Sequence, residues 1–467
     1  MQLRRASRYW IAFTAVSLLG SSAAAQGFGL NEISTCGLGR GYAAVATGCH
    51  DASAIYWNPA AVTNLNNWTW AVGAAAIIVN GKFIQDTTRR TFKADVPTSV
   101  VPNVFVNYHN PSSQAAYGIG FYVPYGLTSQ WGDDFPGRFS AKKASLQTFY
   151  IQPNFGWQIN PKWSIGVAPI IAHSSVELIQ AVDLSQQSLT VGTSSVLLSA
   201  FGIPQRTEFA QARLKGSAWG YGAHFGIQGK LTPDWTLGVR YLTQIVFKYD
   251  NADATFNQVT TGLVIPTAIP GTPIPAGTSI DALVAPFFGA GGPLSSQTVS
   301  TRIAHPSQFQ AGFSYTGVKN WEFEADYALI GYRAFKDLPI KFSNTATTSR
   351  SLIEDYNNSS AIRLGAEYKF QNNIHVRGGF SGVSAAAPDV TVTPLLPEQD
   401  RANYSLGFTA PVMGRFAIEG GWVLVTTPGR RGRIDERLSE AQTADQLNTG
   451  VYSLTANILA LSIKSSF

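Results

Sequence analysis

Few side chains in this sequence are arranged for covalent chemistry. His50, His109, His173, His224, His305 and His375 are scattered without metal-ligand spacing, and no G-x-S-x-G elbow presents a nucleophile. No enzyme activity, cofactor or metal is therefore expected. Cys36 and Cys49 are the only cysteines. Two lone thiols make a poor metal site, but in an oxidising compartment they should pair, stabilising by roughly 3 kcal/mol in the chain-entropy account. Arg138 and Arg401 could meet the carboxylate of a ligand, or equally bond strand-end carbonyls or acids of the chain itself. The formal charge of +6 contains no Lys/Arg run that could follow a phosphate backbone, which argues against nucleic acid as a partner.

The elements that must position these residues begin with an export signal. Arg4, Arg5 and Arg8 precede an apolar run from Trp10 to Leu19 and the small-residue site Ala23-Ala24-Ala25. That run is about ten residues, half of what a spanning helix needs, so residues 1–25 read as a cleaved signal peptide. The remainder is rich in apolar and aromatic residues, 45% and 12% of the whole chain, yet holds no stretch long enough for a membrane helix. A lipid-facing chain without such helices must close its backbone hydrogen bonds in a barrel.

Alternation supports an all-β fold of this kind. Trp219, Tyr221, Ala223, Phe225 and Ile227 alternate with Gly220, Gly222, His224 and Gly226. Trp321, Phe323, Ala325, Tyr327 and Leu329 alternate with Glu322, Glu324 and Asp326, acids that cannot face lipid and must face a wet lumen or a plug. Polar turns followed at once by tryptophan recur, as at Asn160-Pro161-Lys162-Trp163, Thr232-Pro233-Asp234-Trp235 and Lys319-Asn320-Trp321. Such turns suit the periplasmic edge beneath an aromatic girdle. The pattern predicts a transmembrane antiparallel barrel of about fourteen strands near 68–80, 98–108, 115–125, 145–158, 163–176, 209–228, 235–249, 307–315, 321–334, 360–370, 374–382, 402–410, 415–425 and 451–467. An even count puts both ends on the periplasmic side. Leu459, Leu461, Ile463 and the final Phe467 share one parity, like the terminal strand that barrel-assembly machinery reads. The expected setting is the outer membrane of a Gram-negative cell, as a monomer in contact with outer-membrane lipid.

Residues 26–66 lack strand alternation and are rich in Gly, Ala, Ser and Asn, which suits a plug inside a barrel of residues 67–467. Asn58-Pro59 favours a turn within it. Two long connections, 177–207 and 251–303, should be extracellular and are unusually apolar. Leu178, Leu197, Leu198 and Phe201 in the first, with Phe287 and Phe288 in the second, point to a ligand groove or to mutual packing. Pro124, Tyr125 and Gly126 weaken the third strand, since proline lacks a donor and glycine a side chain. They mark either a gap in the wall or a strand end at the rim.

The opening Gly27-Phe28-Gly29-Leu30-Asn31-Glu32, then Gly37-Leu38-Gly39-Arg40, Asp51-Ala52-Ser53 and Asn58-Pro59-Ala60, resembles the FadL family of outer-membrane long-chain fatty acid transporters. Pro124-Tyr125-Gly126-Leu127, Gly137-Arg138-Phe139, Arg363-Leu364-Gly365-Ala366-Glu367-Tyr368 and Leu396-Pro397 with Asp400-Arg401 extend the likeness along the chain. The resemblance implies a fourteen-stranded barrel closed by an N-terminal hatch that includes Phe28, Leu30, Asn31, Asn58 and Pro59. It also implies an outer hydrophobic groove, an internal pocket, and sideways release where the third strand kinks at Pro124–Gly126. Members carry fatty acids or aromatic hydrocarbons, so the implied partner is a hydrophobic small molecule. Cys36, Cys49 and the long Pro/Gly-rich stretch 255–300 depart from the family pattern.

Overall fold

The computed structural model describes residues 27–191, 194–268 and 274–466. The expected signal peptide and Phe467 lie outside the described residues. Two short helices, α1 (Thr35–Gly39) and α2 (Ala54–Trp57), lie in the N-terminal segment. Fourteen staves follow: β1 (Asn67–Gln85), β2 (Ser99–His109), β3 (Ala115–Gln130), β4 (Lys143–Asn160), β5 (Trp163–Asp183) and β6 (Glu208–Lys230). β7 comes in two pieces, Trp235–Leu242 and Ile245–Gln258, and so does β8, Gln297–His305 and Gln308–Tyr315. β9 (Trp321–Ile330), β10 (Ser359–Lys369), β11 (His375–Val383), β12 (Arg401–Met413), β13 (Phe416–Thr426) and β14 (Gly450–Ser466) complete the wall. β1 pairs antiparallel with both β2 and β14, which closes the sheet.

The alternation sorts side chains as the sequence predicts. On β6, Trp219, Tyr221, Phe225 and Ile227 are exposed, whereas His224 between them is fully buried. Trp163, Trp235 and Trp321 stand exposed where β5, β7 and β9 begin. The turns before two of them are held by side chains: Asn160 Oδ1 accepts from the amides of Lys162 (2.9 Å) and Trp163 (3.0 Å), and Thr232 Oγ1 from that of Trp235 (3.1 Å). Without these acceptors the turn amides would lack protein partners.

The N-terminal segment fills the lumen, and α1 and α2 are buried throughout. The inward acids of β9 face this plug. Asp326 accepts from the amides of Ala44 (2.8 Å) and Val45 (3.1 Å), and Glu324 from that of Ala46 (2.6 Å). Arg40 pairs with Glu322 (2.8 Å), Glu324 (3.2 Å) and, from β10, Glu367 (2.9 Å). Backbone meets backbone where glycine permits it. A Cβ on Gly379 would lie 2.2 Å from the carbonyl carbon of Arg40, and one on Gly166 equally close to that of Pro59. Cys36 and Cys49 form a disulfide with a Cα–Cα distance of 6.1 Å.

Three expectations about the wall need correction. β3 runs on to Gln130, so Pro124 lies within a stave rather than at its end. β5 reaches Asp183, which places Leu178 in the wall and not in the first long connection. The connection expected over 251–303 shrinks at both ends, because β7 continues to Gln258 and β8 starts at Gln297. Polar outward residues such as Asp250 and Asp253 hid the extension of β7, since a stave above the lipid no longer needs an apolar face.

Candidate functional site: a sideways opening and the cavity behind it

The ladder between β2 and β3 runs from His109↔Ala116 to Val104↔Phe121 and stops. On the other side of β3 the register with β4 shifts between Tyr122 and Tyr125, so Val123 and Pro124 leave the ladder. The plug takes over there: the Leu30 amide donates to the Pro124 carbonyl (2.9 Å) and the Gly126 amide to the Phe28 carbonyl (2.9 Å). Further out, Ala94 bridges Trp131, and the Asp95 amide donates to Gln130 (2.8 Å). An opening thus remains between residues 99–103 of β2 and 122–130 of β3. Irregular backbone at this depth is tolerable because plug and cavity, rather than lipid, lie against it.

A cavity of about 360 Å³ adjoins this opening, with Val101, Val123, Gly126, Leu127, Leu146 and Ile458 in its wall. Its polar lining includes Arg401, Gln399 and Glu398. Arg401 makes one long hydrogen bond, Nη2 to the Gly27 carbonyl at 3.5 Å, and no ion pair among the described residues. Both amide atoms of the buried Gln399 lack a partner among the described residues. Burial pushes the Glu398 carboxyl above the usual carboxylate range, although amides of Ala386, Ala387 and Gly27 donate to it and oppose the shift. Arg138 lies elsewhere: its Nε bonds Glu208 at 2.9 Å and its guanidinium covers the Phe139 ring. Its carboxylate partner belongs to the protein, so only Arg401 of the two arginines lines the cavity.

Sequence-predicted plug residues gather near the opening or tie the plug to the wall. Phe28 lies among the rings of Tyr125 (6.0 Å), His305 (5.6 Å), Tyr332 (5.3 Å) and Phe335 (5.5 Å). Leu30 lines the cavity, and Asn31 accepts from Arg363 at 2.9 Å. Asn58 donates to the carbonyls of Val45 and Ile227, both at 3.0 Å, and Pro59 accepts from Asn154 at 3.2 Å. The pair is a turn and also an anchor. Pro124, Tyr125 and Gly126 form the kink, but a Cβ on Gly126 would face Leu30 at 2.9 Å, so this glycine borders the plug as well as the opening.

The outer loops meet each other. Leu198, Phe201 and Ile203 from the first join Ile265, Ile280 and Val284 from the second in one buried cluster. Leu198 and Phe201 are interior, the mutual packing that the sequence allowed beside a groove. Leu197 is exposed, whereas Phe287 and Phe288 are half-buried and pack against this cluster with one side open. The second loop is also stitched to itself. Burial would raise the Asp281 carboxyl, but donors on Thr261 and Gly262 outweigh it and hold it below the usual range.

Sequence reasoning missed Gln399 and Glu398. The run Leu396 to Arg401 carried the only signal, four polar residues after Leu-Pro leading into β12.

A closed girdled barrel, plugged from within and open at one side, defines a transport protein of the outer membrane. Residues 16–467 match the family described as outer membrane protein transport protein (OMPP1/FadL/TodX), and the chain belongs to that family. It is similar to the long-chain fatty acid transport protein of Escherichia coli strain K12, 25% identical over 419 residues that cover 85% of this chain and 86% of that one. It is 23% identical over 488 residues to outer membrane protein P1 of Haemophilus influenzae strain Rd, covering 97% and 98%. Among solved structures, a Pseudomonas aeruginosa FadL homologue matches with a TM-score of 0.74 at 19% identity, over 95% of this chain and 100% of that one. The Pseudomonas putida toluene transporter TodX matches with 0.67 at 15% identity, over 94% and 99%. At these identities the structural matches establish the fold.

Proposed function

We propose that the protein takes up long-chain amphiphiles with an anionic head, fatty acids above all, and releases them sideways into the membrane. The single observation that carries this reading is the cavity beside β3, whose largely apolar wall also holds Arg401, which has no ion pair among the described residues, and Gln399, whose amide has no hydrogen-bond partner among them. An acyl chain gains about 0.8 kcal/mol per methylene on leaving water, and the guanidinium gains a carboxylate partner. Leu197, Phe287 and Phe288 would gather dilute ligand at the surface, the kink at Pro124–Gly126 would serve as the exit, and the plug of residues 26–66 would keep polar solutes from the lumen. The relatives named as long-chain fatty acid transport proteins support the same class of cargo. A second reading, aromatic hydrocarbon uptake, is favoured by a smaller cavity of about 100 Å³ with an almost wholly hydrocarbon wall, and by the fold shared with the toluene transporter.

The test compares oleate with oleyl alcohol on purified protein in detergent. A charge-assisted hydrogen bond contributes about 1.5–3 kcal/mol. Arg401→Gln should therefore weaken oleate binding by roughly tenfold or more and leave the alcohol unchanged. Equal loss of both ligands, or loss of neither, would remove the anionic head from the proposal.

A further inference from the structure

We infer that the barrel wall holds a second lateral doorway, between residues 216–222 of β6 and 245–252 of β7, through which uncharged apolar molecules pass between lipid and the smaller cavity. The inference rests on the hydrophobic-cargo reading but not on the anionic head.

The ladder between β6 and β7 ends at His224↔Leu242 and resumes only at Lys215↔Asp253, offset by two residues. β6 stays paired with β5 throughout this stretch, and β7 with β8 at Ile245↔His305 to Tyr249↔Thr301. One seam of the wall is thus without backbone pairing for roughly 20 Å, taking about 3.3 Å per residue. A side chain terminates the ladder at its lower end: the Ala223 amide donates to Thr243 Oγ1 (2.9 Å) while the Thr243 amide donates to the Ala223 carbonyl (3.0 Å). Above that point β7 passes to the inner side of β6, and Tyr249 donates to Ser174 of β5 at 2.8 Å.

Side chains seated on glycines close the seam. A Cβ on Gly220 would lie 2.6 Å from Ile245 and 2.8 Å from Phe247, and one on Gly222 would lie 2.7 Å from Ile245. Opening therefore needs rotation of two apolar side chains and the rupture of no ladder. Outside, Trp219, Tyr221 and Val246 are exposed on the lipid side. Inside, the smaller cavity touches the upper end of the seam at Ala252, and shares Leu127, Leu146 and Leu396 with the larger one. A dry cavity on the order of 150 Å³ holds benzene, so the smaller cavity of about 100 Å³ suits a short alkyl segment or, with slight widening, one aromatic ring. The seam also communicates with the first opening. The Phe247 and Tyr125 rings each lie 4.5 Å from that of His305, and Tyr125 donates to the Pro306 carbonyl at 2.7 Å.

Photolabelling with a neutral aryl diazirine on the full protein in outer-membrane vesicles tests this. Trp219 and Tyr221, in contact with lipid, give the full signal, and Tyr56 and Trp57, buried in the plug, give the background. Phe247 is fully buried, yet it should label several-fold above that background and be protected by excess toluene. Gly216→Cys with Ala252→Cys provides a staple, because a Cβ at 216 would stand 2.6 Å from that of Ala252 and about 1 Å of movement reaches disulfide spacing. Oxidation of the staple should return Phe247 to background. Phe247→Ala should raise labelling of His305 behind it. Labelling of Phe247 at the plug background in the unmodified protein, or unaffected by the staple, overturns the doorway, as does His305 labelling that fails to rise. The probe carries no carboxylate, so failure of the Arg401 experiment leaves this result standing.

Discussion

Two long breaks in the wall, beside β3 and beside β6, are kept in opposite ways. Beside β3 the backbone itself departs: proline removes a donor, the register with β4 shifts, and the plug segment Phe28–Leu30 supplies backbone hydrogen bonds to Pro124 and Gly126. Beside β6 the backbone merely drifts inward, and Ile245 and Phe247 fill the interval against glycines. The first break depends on the plug and adjoins a cavity with a polar group to offer; the second depends on side-chain packing and meets a cavity whose wall is almost wholly hydrocarbon. A membrane barrel can thus spare ladder hydrogen bonds only where protein or a cavity replaces lipid as the neighbour.

The largest expected effect separates the break at β3 from ordinary wall. Gly126→Trp places a large ring against Leu30 and across the opening, where overpacking costs about 1–3 kcal/mol. Fatty acid uptake should drop to the level of cells without the protein, while Leu237→Trp on the outer face of β7 leaves uptake unchanged. Full uptake by a correctly inserted Gly126→Trp protein would move the exit away from β3, to the seam at β6 or to a path through the plug.

A middle-sized effect concerns dependence on the plug. Removing the disulfide through Cys36→Ser with Cys49→Ser should cost the plug roughly 3 kcal/mol. Hydrogen exchange should quicken at the Leu30 and Gly126 amides, which bond across the β3 break, and stay unchanged at Thr243, which bonds within the wall. Equal acceleration at both places would show that the breaks are not held independently.

The smallest effect lies furthest from either break. Phe287→Ser with Phe288→Ser removes two half-buried rings that pack on the outside of the cluster around Leu198 and Phe201 and leaves the residues of that cluster unchanged. Uptake should slow at low ligand concentration and be normal at saturation. A uniform reduction at all concentrations would assign these rings to loop packing.

The sequence by itself determined the class of fold, the number of staves, the side of each stave that meets lipid, and the pairing of its two cysteines. Alternation has a period of two and is enforced by lipid on one face, so every stave carries its own record. The acids of β9 likewise announced a polar neighbour, because no carboxylate can face hydrocarbon. Only the tertiary structure decided which groups answer them, since Arg40 meets Glu322, Glu324 and Glu367 from two staves far away in the chain. It alone separated Arg401, left facing a cavity, from Arg138, already paired with Glu208. Pro124 and Gly126 were legible as a weak point in β3, whereas the seam at β6 was not. Its glycines and its alternation look like those of any other stave, and the missing ladder is a relation between two strands that neither one encodes.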